Sequence, residues 1–383
     1  MIKKVAFFCK HFGERGTERT TYDYADFNEK ILGNISYIIC FNESVIRDKK
    51  YISSKDFVKK KYLNRFEVFE INNIYEIKDI LIAKKINYFY VQSHGFYRDI
   101  FKFNDLRIWG NCQTIYHCAF GPMVRQGSSI RCIVGGFLNK RFSKNLPVLP
   151  PIVRPFQFQG DFKSDLNIPE DAIVIGRHGG KETFDINFVK EIIKKFLEYD
   201  EKIYFLFLNT KKFITHKNVF YFENLNDHEV SKFIGTCDAM IHGRSDGETF
   251  GLAVAEFSVA NKPVITYSES KDREHLGILK EKAILYKNKD DLIKIFNSIR
   301  IILKKKESWN AYKDFEPKKI MNIFDKVCLS NKKSSLLNQT LTFIQDLPYE
   351  IKVNLRIIFK SIINFFIKKI PENFKNKIKS FIK

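Results

Sequence analysis

Short apolar runs alternate with amphipathic stretches along most of the chain. The runs Val5–Cys9, Ser36–Phe41, Tyr88–Gln92 and Thr114–Cys118 predict strands in the first half. In the second half the same signal falls at Ala172–Gly176, Ile203–Leu208, Val219–Phe222, Ala239–His242, Val264–Tyr267 and Ala283–Tyr286. Helical spacing of apolar residues predicts helices at Thr20–Leu32, Ile74–Lys84, Asn187–Tyr199, Asp227–Gly235, Leu252–Ala260 and Asp290–Lys304. Strands that are apolar without a break are covered on both faces, and helices between them supply the cover. The expected fold class is therefore α/β, with the doubly wound, Rossmann-like pattern present twice.

Proline marks the join between the two halves. Pro147, Pro150, Pro151 and Pro155 fall within nine residues, which reads as an extended interdomain linker. The boundary is expected near residue 155. Residues 331–383 form a third region with 11 Lys/Arg against 3 Asp/Glu, a net charge of +8. Lys352, Arg356, Lys360, Asn364 and Lys368 recur every four residues and would make one narrow polar stripe on a helix. The apolar face left around that stripe is wider than a surface helix needs. It would lie on an anionic membrane or pack on the N-terminal domain.

Composition narrows the function classes. The 383 residues are 44% hydrophobic and 15% aromatic, too much apolar material for a disordered chain. The net charge of +21 predicts an anionic partner: nucleic acid, a membrane surface or a phosphorylated ligand. Seven cysteines with no Cys-x-x-Cys make neither a disulfide framework nor a zinc pattern, and fit a reducing compartment. The apolar run after Met1-Ile2-Lys3-Lys4 is too short for a signal peptide, and no run of 18 apolar residues exists. A cytoplasmic protein is expected, peripheral on the cytosolic face of a membrane if the tail binds lipid.

The densest chemistry lies in His242-Gly-Arg-Ser-Asp-Gly-Glu248-Thr-Phe-Gly-Leu-Ala-Val-Ala-Glu256. A strand ends, a polar glycine-containing loop follows, and a helix opens near Gly251. The free N–H groups of Thr249, Phe250 and Gly251 would make a phosphate site. Glu256 lies five residues further on, about 7.5 Å along a helix axis, where the ribose of a bound nucleoside diphosphate would fall. Ile175-Gly-Arg177-His-Gly-Gly-Lys181 sets two cations at a second strand–loop–helix junction.

The Glu248/Glu256 spacing resembles the E-x7-E motif of retaining glycosyltransferases of the GT-B fold, family 4 in particular. The turn Asn261-Lys-Pro-Val-Ile-Thr266 and the Arg177/Lys181 junction are similar to that family's flanking segments, and the likeness covers about 170–290. The resemblance implies two Rossmann-like domains facing across a cleft. Residues 1–155 would bind the acceptor and 156–310 the nucleotide-diphosphate sugar. The Phe315–Phe324 region, with Glu316-Pro317 opening a helix, resembles the family's segment that crosses back to the N-terminal domain, so a crossover helix would occupy 311–330 and the basic amphipathic tail 331–383. It implies that Glu248 contacts the donor sugar, Glu256 the ribose, and Arg177 and Lys181 the diphosphate, with Gly16 approaching the phosphates across the cleft. It places an active-site histidine at His117; His94, at another strand's C-terminal end, is an acceptor-side candidate. No two aspartates are separated by a single residue, so no Asp-x-Asp metal motif exists and metal-independent transfer is expected, without a cofactor. After Ile203–Leu208 the family's glycine-bearing turn is replaced by Asn209-Thr-Lys-Lys.

Two other readings stand beside this one. The charge of +21 suits a nucleic-acid-binding protein, but no recognisable binding motif accompanies it. A catalytically silent GT-B scaffold is the third, against which the full set of Arg177, Lys181, Glu248 and Glu256 argues.

Overall fold

A computed structural model of the chain describes residues 2–13, 16–46, 55–95, 101, 103, 105–121, 128–305 and 307–330. The tail expected at 331–383 lies outside the described residues. The first sheet contains β1 (Lys4–Cys9), β2 (Ile35–Phe41), β3 (Glu67–Ile71), β4 (Tyr88–Ser93), β5 (Gln113–Cys118) and β6 (Ile130–Ile133). The second contains β7 (Ile173–His178), β8 (Ile203–Leu208), β9 (Val219–Phe222), β10 (Ala239–His242), β12 (Val264–Tyr267) and β14 (Ala283–Tyr286). The two-residue strands β11 (Gly247–Glu248) and β13 (Asp272–Arg273) pair with each other.

Helices α1 (Gly16–Lys30), α2 (Asp56–Leu63), α3 (Ile77–Lys84), α4 (Leu106–Trp109) and α5 (Gly136–Phe142) belong to the first half. The second half holds α6 (Asn187–Tyr199), α7 (Asp227–Thr236), α8 (Leu252–Val259), α9 (Glu274–Leu279), α10 (Lys289–Asn297), α11 (Ile299–Lys304) and α12 (Pro317–Cys328). The single helix expected over Asp290–Lys304 is two. The break falls at Asn297-Ser298, residue types that compete with a helix for its own backbone. Among the described residues no helix is long and apolar enough to cross a membrane.

Both sheets are parallel and share one topology. The orders are β3-β2-β1-β4-β5-β6 and β9-β8-β7-β10-β12-β14. Strand order therefore reverses between β1 and β4, and again between β7 and β10. At such a switch point neighbouring loops depart to opposite faces and leave a crevice at the strands' C-terminal ends. Period-two burial explains why these runs are strands: Phe205 and Phe207 enter one core and Leu206 and Leu208 the other.

The proline-rich linker is packed rather than free. Leu149, Ile152 and Val153 are buried, Tyr24 Oη donates to the Pro150 carbonyl at 2.7 Å, and Arg154 pairs with Asp23 and Asp26. Val153 N donates to the Phe315 carbonyl at 2.9 Å, which lays the outgoing linker beside the returning segment. Helix α12 then buries Ile320, Met321 and Phe324 in the core formed with α1 and the first sheet.

Candidate functional site

The loop between β10 and α8 is held from several sides. Ser245 N donates to Asp185 Oδ1 at 2.8 Å, and β11 pairs with β13. Tyr286 Oη donates to the His242 carbonyl at 3.0 Å, and Tyr312 Oη to the Phe250 carbonyl at 2.9 Å. Phe250 is buried against Tyr312 and Phe315, so its side chain anchors the loop while its backbone stands at the helix mouth. Thr249 is buried beside it. Gly251 caps α8 with φ of +87°, a left-handed conformation that costs glycine least. The N–H groups opening any helix lack intrahelical acceptors, so this mouth suits an anion.

Glu248 Oε1 lies 3.0 Å from Arg244 Nη1 and 3.4 Å from His242 Nε2. Burial works to raise its carboxyl. The His242 hydrogen bond and the Arg244 charge outweigh burial and hold it at about 2. His242 Nδ1 lies 2.9 Å from Thr266 Oγ1, which in turn lies 3.2 Å from His275 Nε2. Burial, with His242 adjacent, pushes His275 down to about 3, so it is neutral. Glu248 is thus an ionised carboxylate at the end of a buried polar chain.

Glu256 sits on the second turn of α8, with His178 Nδ1 at 3.1 Å. It also pairs with Arg19, which belongs to α1 in the other half of the chain. Burial favours the protonated form, but Arg19 and then His178 lower its pKa below the ordinary value. Gly16 opens α1, and a Cβ there would stand 3.4 Å from Leu252 Cδ1 at the start of α8. The two switch points therefore face each other, and the expected approach of Gly16 across the cleft is toward this helix. Lys61 and Asp227 add an ion pair of 2.6 Å between α2 and α7, and Phe137 N donates to Glu274 Oε2 at 2.5 Å.

Arg177 is placed differently from expectation. It is 3% exposed. Its Nη1 donates to Thr210 Oγ1 at 2.7 Å and the Asn209 carbonyl at 3.0 Å. Its Nη2 donates to Thr183 Oγ1 at 2.6 Å and the Gly180 carbonyl at 2.9 Å. The guanidinium is consumed in bracing two loops, and burial lowers its pKa to about 10. The departure Asn209-Thr210 explains this: Asn209 takes φ of +51° where a glycine was expected, and with Thr210 supplies the acceptors. Lys181 points outward, with its side chain 59% exposed and paired with Glu223 at 2.8 Å.

His117, expected at the active site, lies inside the first domain. It is fully buried, with Nδ1 2.6 Å from Tyr90 Oη and its ring against Tyr24. Strand alternation puts it on the face of Ile115, under α1 and α12, rather than at the cleft. Burial pushes its pKa down to about 3. His94 follows β4, exposed, with its ring 5.5 Å from that of Phe120. The sequence reading missed Arg19, His178, Arg244 and His275. His178 and Arg244 lie within the two motifs it used; Arg19 and His275 carry no local signal.

Residues 191–319 match the family of glycosyl transferases group 1. The segment contains both Glu248 and Glu256 and excludes Arg177, Lys181 and the first sheet. No curated protein matches the chain significantly. Among solved structures, a glycosyltransferase from Rickettsia africae is 14% identical, with 86% of this chain and 100% of that one covered at a TM-score of 0.63. Anabaena Alr3699/HepE, solved with UDP and glucose, is 11% identical, covering 86% and 99% at 0.58. Sucrose-phosphate synthase from Thermosynechococcus elongatus is 10% identical, covering 85% and 96% at 0.56. At these identities the likeness is one of fold, and the fold is GT-B. The family match then lies where the second sheet's switch point carries the two glutamates.

Proposed function

We propose that the protein is a retaining glycosyltransferase of the family 4 type. It transfers a sugar, a hexose in the first instance, from a nucleoside-diphosphate sugar to a glycan or lipid-linked acceptor, without a metal. The observation that carries the reading is the placement of Glu248 and Glu256 around the N-terminus of α8, opposite the first domain's switch point. Breaking a sugar–diphosphate bond loads negative charge onto the leaving phosphate, and oriented amides and fixed cations stabilise it without reorganising. The mouth of α8 supplies the amides, with Thr249, Phe250 and Gly251 as its backbone. Lys181 supplies a cation, since an exposed pair such as Lys181–Glu223 is weakly held and easily exchanged. Glu248, ionised at neutral pH, accepts hydrogen bonds from sugar hydroxyls, and Glu256 those of the ribose.

The acceptor would enter from the N-terminal side, with His94 at the edge of that domain's cleft. The tail at 331–383 would hold the enzyme on the cytosolic face of an anionic membrane, which suits polysaccharide or lipopolysaccharide biosynthesis. UDP is the first nucleotide to test, because Alr3699/HepE was solved with it. The test is transfer from UDP-, GDP- and ADP-sugars by wild-type, Glu248→Ala and Lys181→Ala proteins. Loss of transfer in both variants is expected; full activity in both would refute the assignment.

A further inference from the structure

Positive charge for a donor diphosphate is scarce where the sequence expected it. Arg177 is spent on oxygens of its own domain and Arg244 sits on Glu248, which leaves Lys181, paired with Glu223 at the surface, as the exchangeable cation of this half. Among the described residues two arginines of the first half reach across to the second, Arg141 to Asp272 beside β11 and Arg19 to Glu256 on α8, and of these Arg19 stands against the helix that opens the site. Arg19 lies on the first turn of α1, three residues beyond Gly16, at the point where α1 and α8 abut. Its ion-pair partner among the described residues is Glu256.

We propose that Arg19 is a donor-phosphate residue contributed by the N-terminal domain. It leaves Glu256 for the phosphates when the ribose hydroxyls take that carboxylate. The proposal rests on the nucleotide-sugar reading above. The other carboxylates near Arg19 are already engaged: Asp23 pairs with Arg154 at 2.6 Å and Asp227 with Lys61 at 2.6 Å. Glu256 is therefore its direct hold, and a ribose that occupies Glu256 releases it. Leu252, at the mouth of α8, is four residues before Glu256, about 6 Å along the axis. A pivot of one arginine side chain spans that distance. The planar guanidinium fits two phosphate oxygens at once, which a lysine cannot reproduce. The donor site would then be complete only with the two domains together, so closure and donor binding are coupled through one residue.

Titration calorimetry on the full-length protein with UDP, GDP, ADP and the corresponding monophosphates tests this. The wild-type protein is expected to bind one diphosphate more tightly than its monophosphate. Arg19→Gln should weaken the diphosphate about tenfold or more, with a smaller effect on the monophosphate, and Arg19→Lys should fall between. Equal or tighter diphosphate binding by Arg19→Gln would overturn the proposal, because Arg19 would then only block Glu256. If Arg19→Gln does not melt cooperatively, Arg19→Lys decides: an unchanged diphosphate-to-monophosphate ratio overturns the proposal. A wild-type protein that binds no diphosphate overturns the donor reading itself, and this inference with it.

Discussion

Glu248 accepts a hydrogen bond from Arg244 at 3.0 Å, and this contact with His242 behind it fixes the carboxylate's charge. The folded-state pKa of about 2 lies below the ordinary unfolded value of about 4.3. A depressed acid stabilises the fold above the unfolded pKa, and the contribution is lost as pH falls from there toward 2. Glu248→Gln should therefore melt lower than wild type at pH 7, with the gap narrowing between pH 4.5 and 3. Thermal midpoints across that range check this; a gap independent of pH contradicts it.

Arg177 is predicted to matter for folding more than for charge on the donor. Arg177→Met removes the hydrogen bonds that join the Gly180–Thr183 loop to the Asn209–Thr210 turn, which should cost about 3 kcal/mol or more in urea unfolding. Arg177→Lys should recover little, because one ammonium cannot reproduce the four-way fork. A loss under about 1 kcal/mol would show that the bracing is dispensable.

His117 is predicted to be a core residue. His117→Ala should destabilise the protein by about 2–4 kcal/mol while leaving transfer by the folded fraction within twofold of wild type. Its pKa of about 3 means the neutral form is the folded one. Stability from this group is present above about 6.5 and lost as pH falls toward 3. His117→Phe should therefore flatten the acid side of the stability curve; a selective loss of transfer in this folded variant would return His117 to the active site.

The sequence carries the fold more fully than the placement of the site side chains. All six strands of the second sheet are legible, because each is an apolar run with polar stops. The edge strands β3 and β6 are not, since short, charge-bearing segments such as Glu67–Ile71 fit an edge and give a weak signal. The E-x7-E spacing locates the α8 mouth. Arg177 misleads because an arginine beside a glycine loop reads alike whether it turns inward or outward. His117 shares its strand face with Ile115, but both faces of this strand are covered, so alternation alone does not say what it packs against. Arg19 was not legible, because its partner depends on how two separate domains meet.

The tail gives an independent prediction. Cys328 and Leu329 are buried, so truncation after Ser330 keeps α12 intact. The full-length chain should cosediment with anionic liposomes at low salt, and the truncated protein should not. Equal cosedimentation of both would place any membrane contact elsewhere.

The most direct measurement is the thermal midpoint of the full-length protein against a panel of UDP-, GDP- and ADP-sugars, with Glu256→Ala as the paired variant. A saturating ligand that binds only the folded state stabilises by mass action, about 2.7 kcal/mol at one hundred times Kd. The account predicts that one nucleotide sugar raises the wild-type midpoint by several degrees and shifts Glu256→Ala markedly less. No shift with any member of the panel, or equal shifts in both proteins, would contradict it.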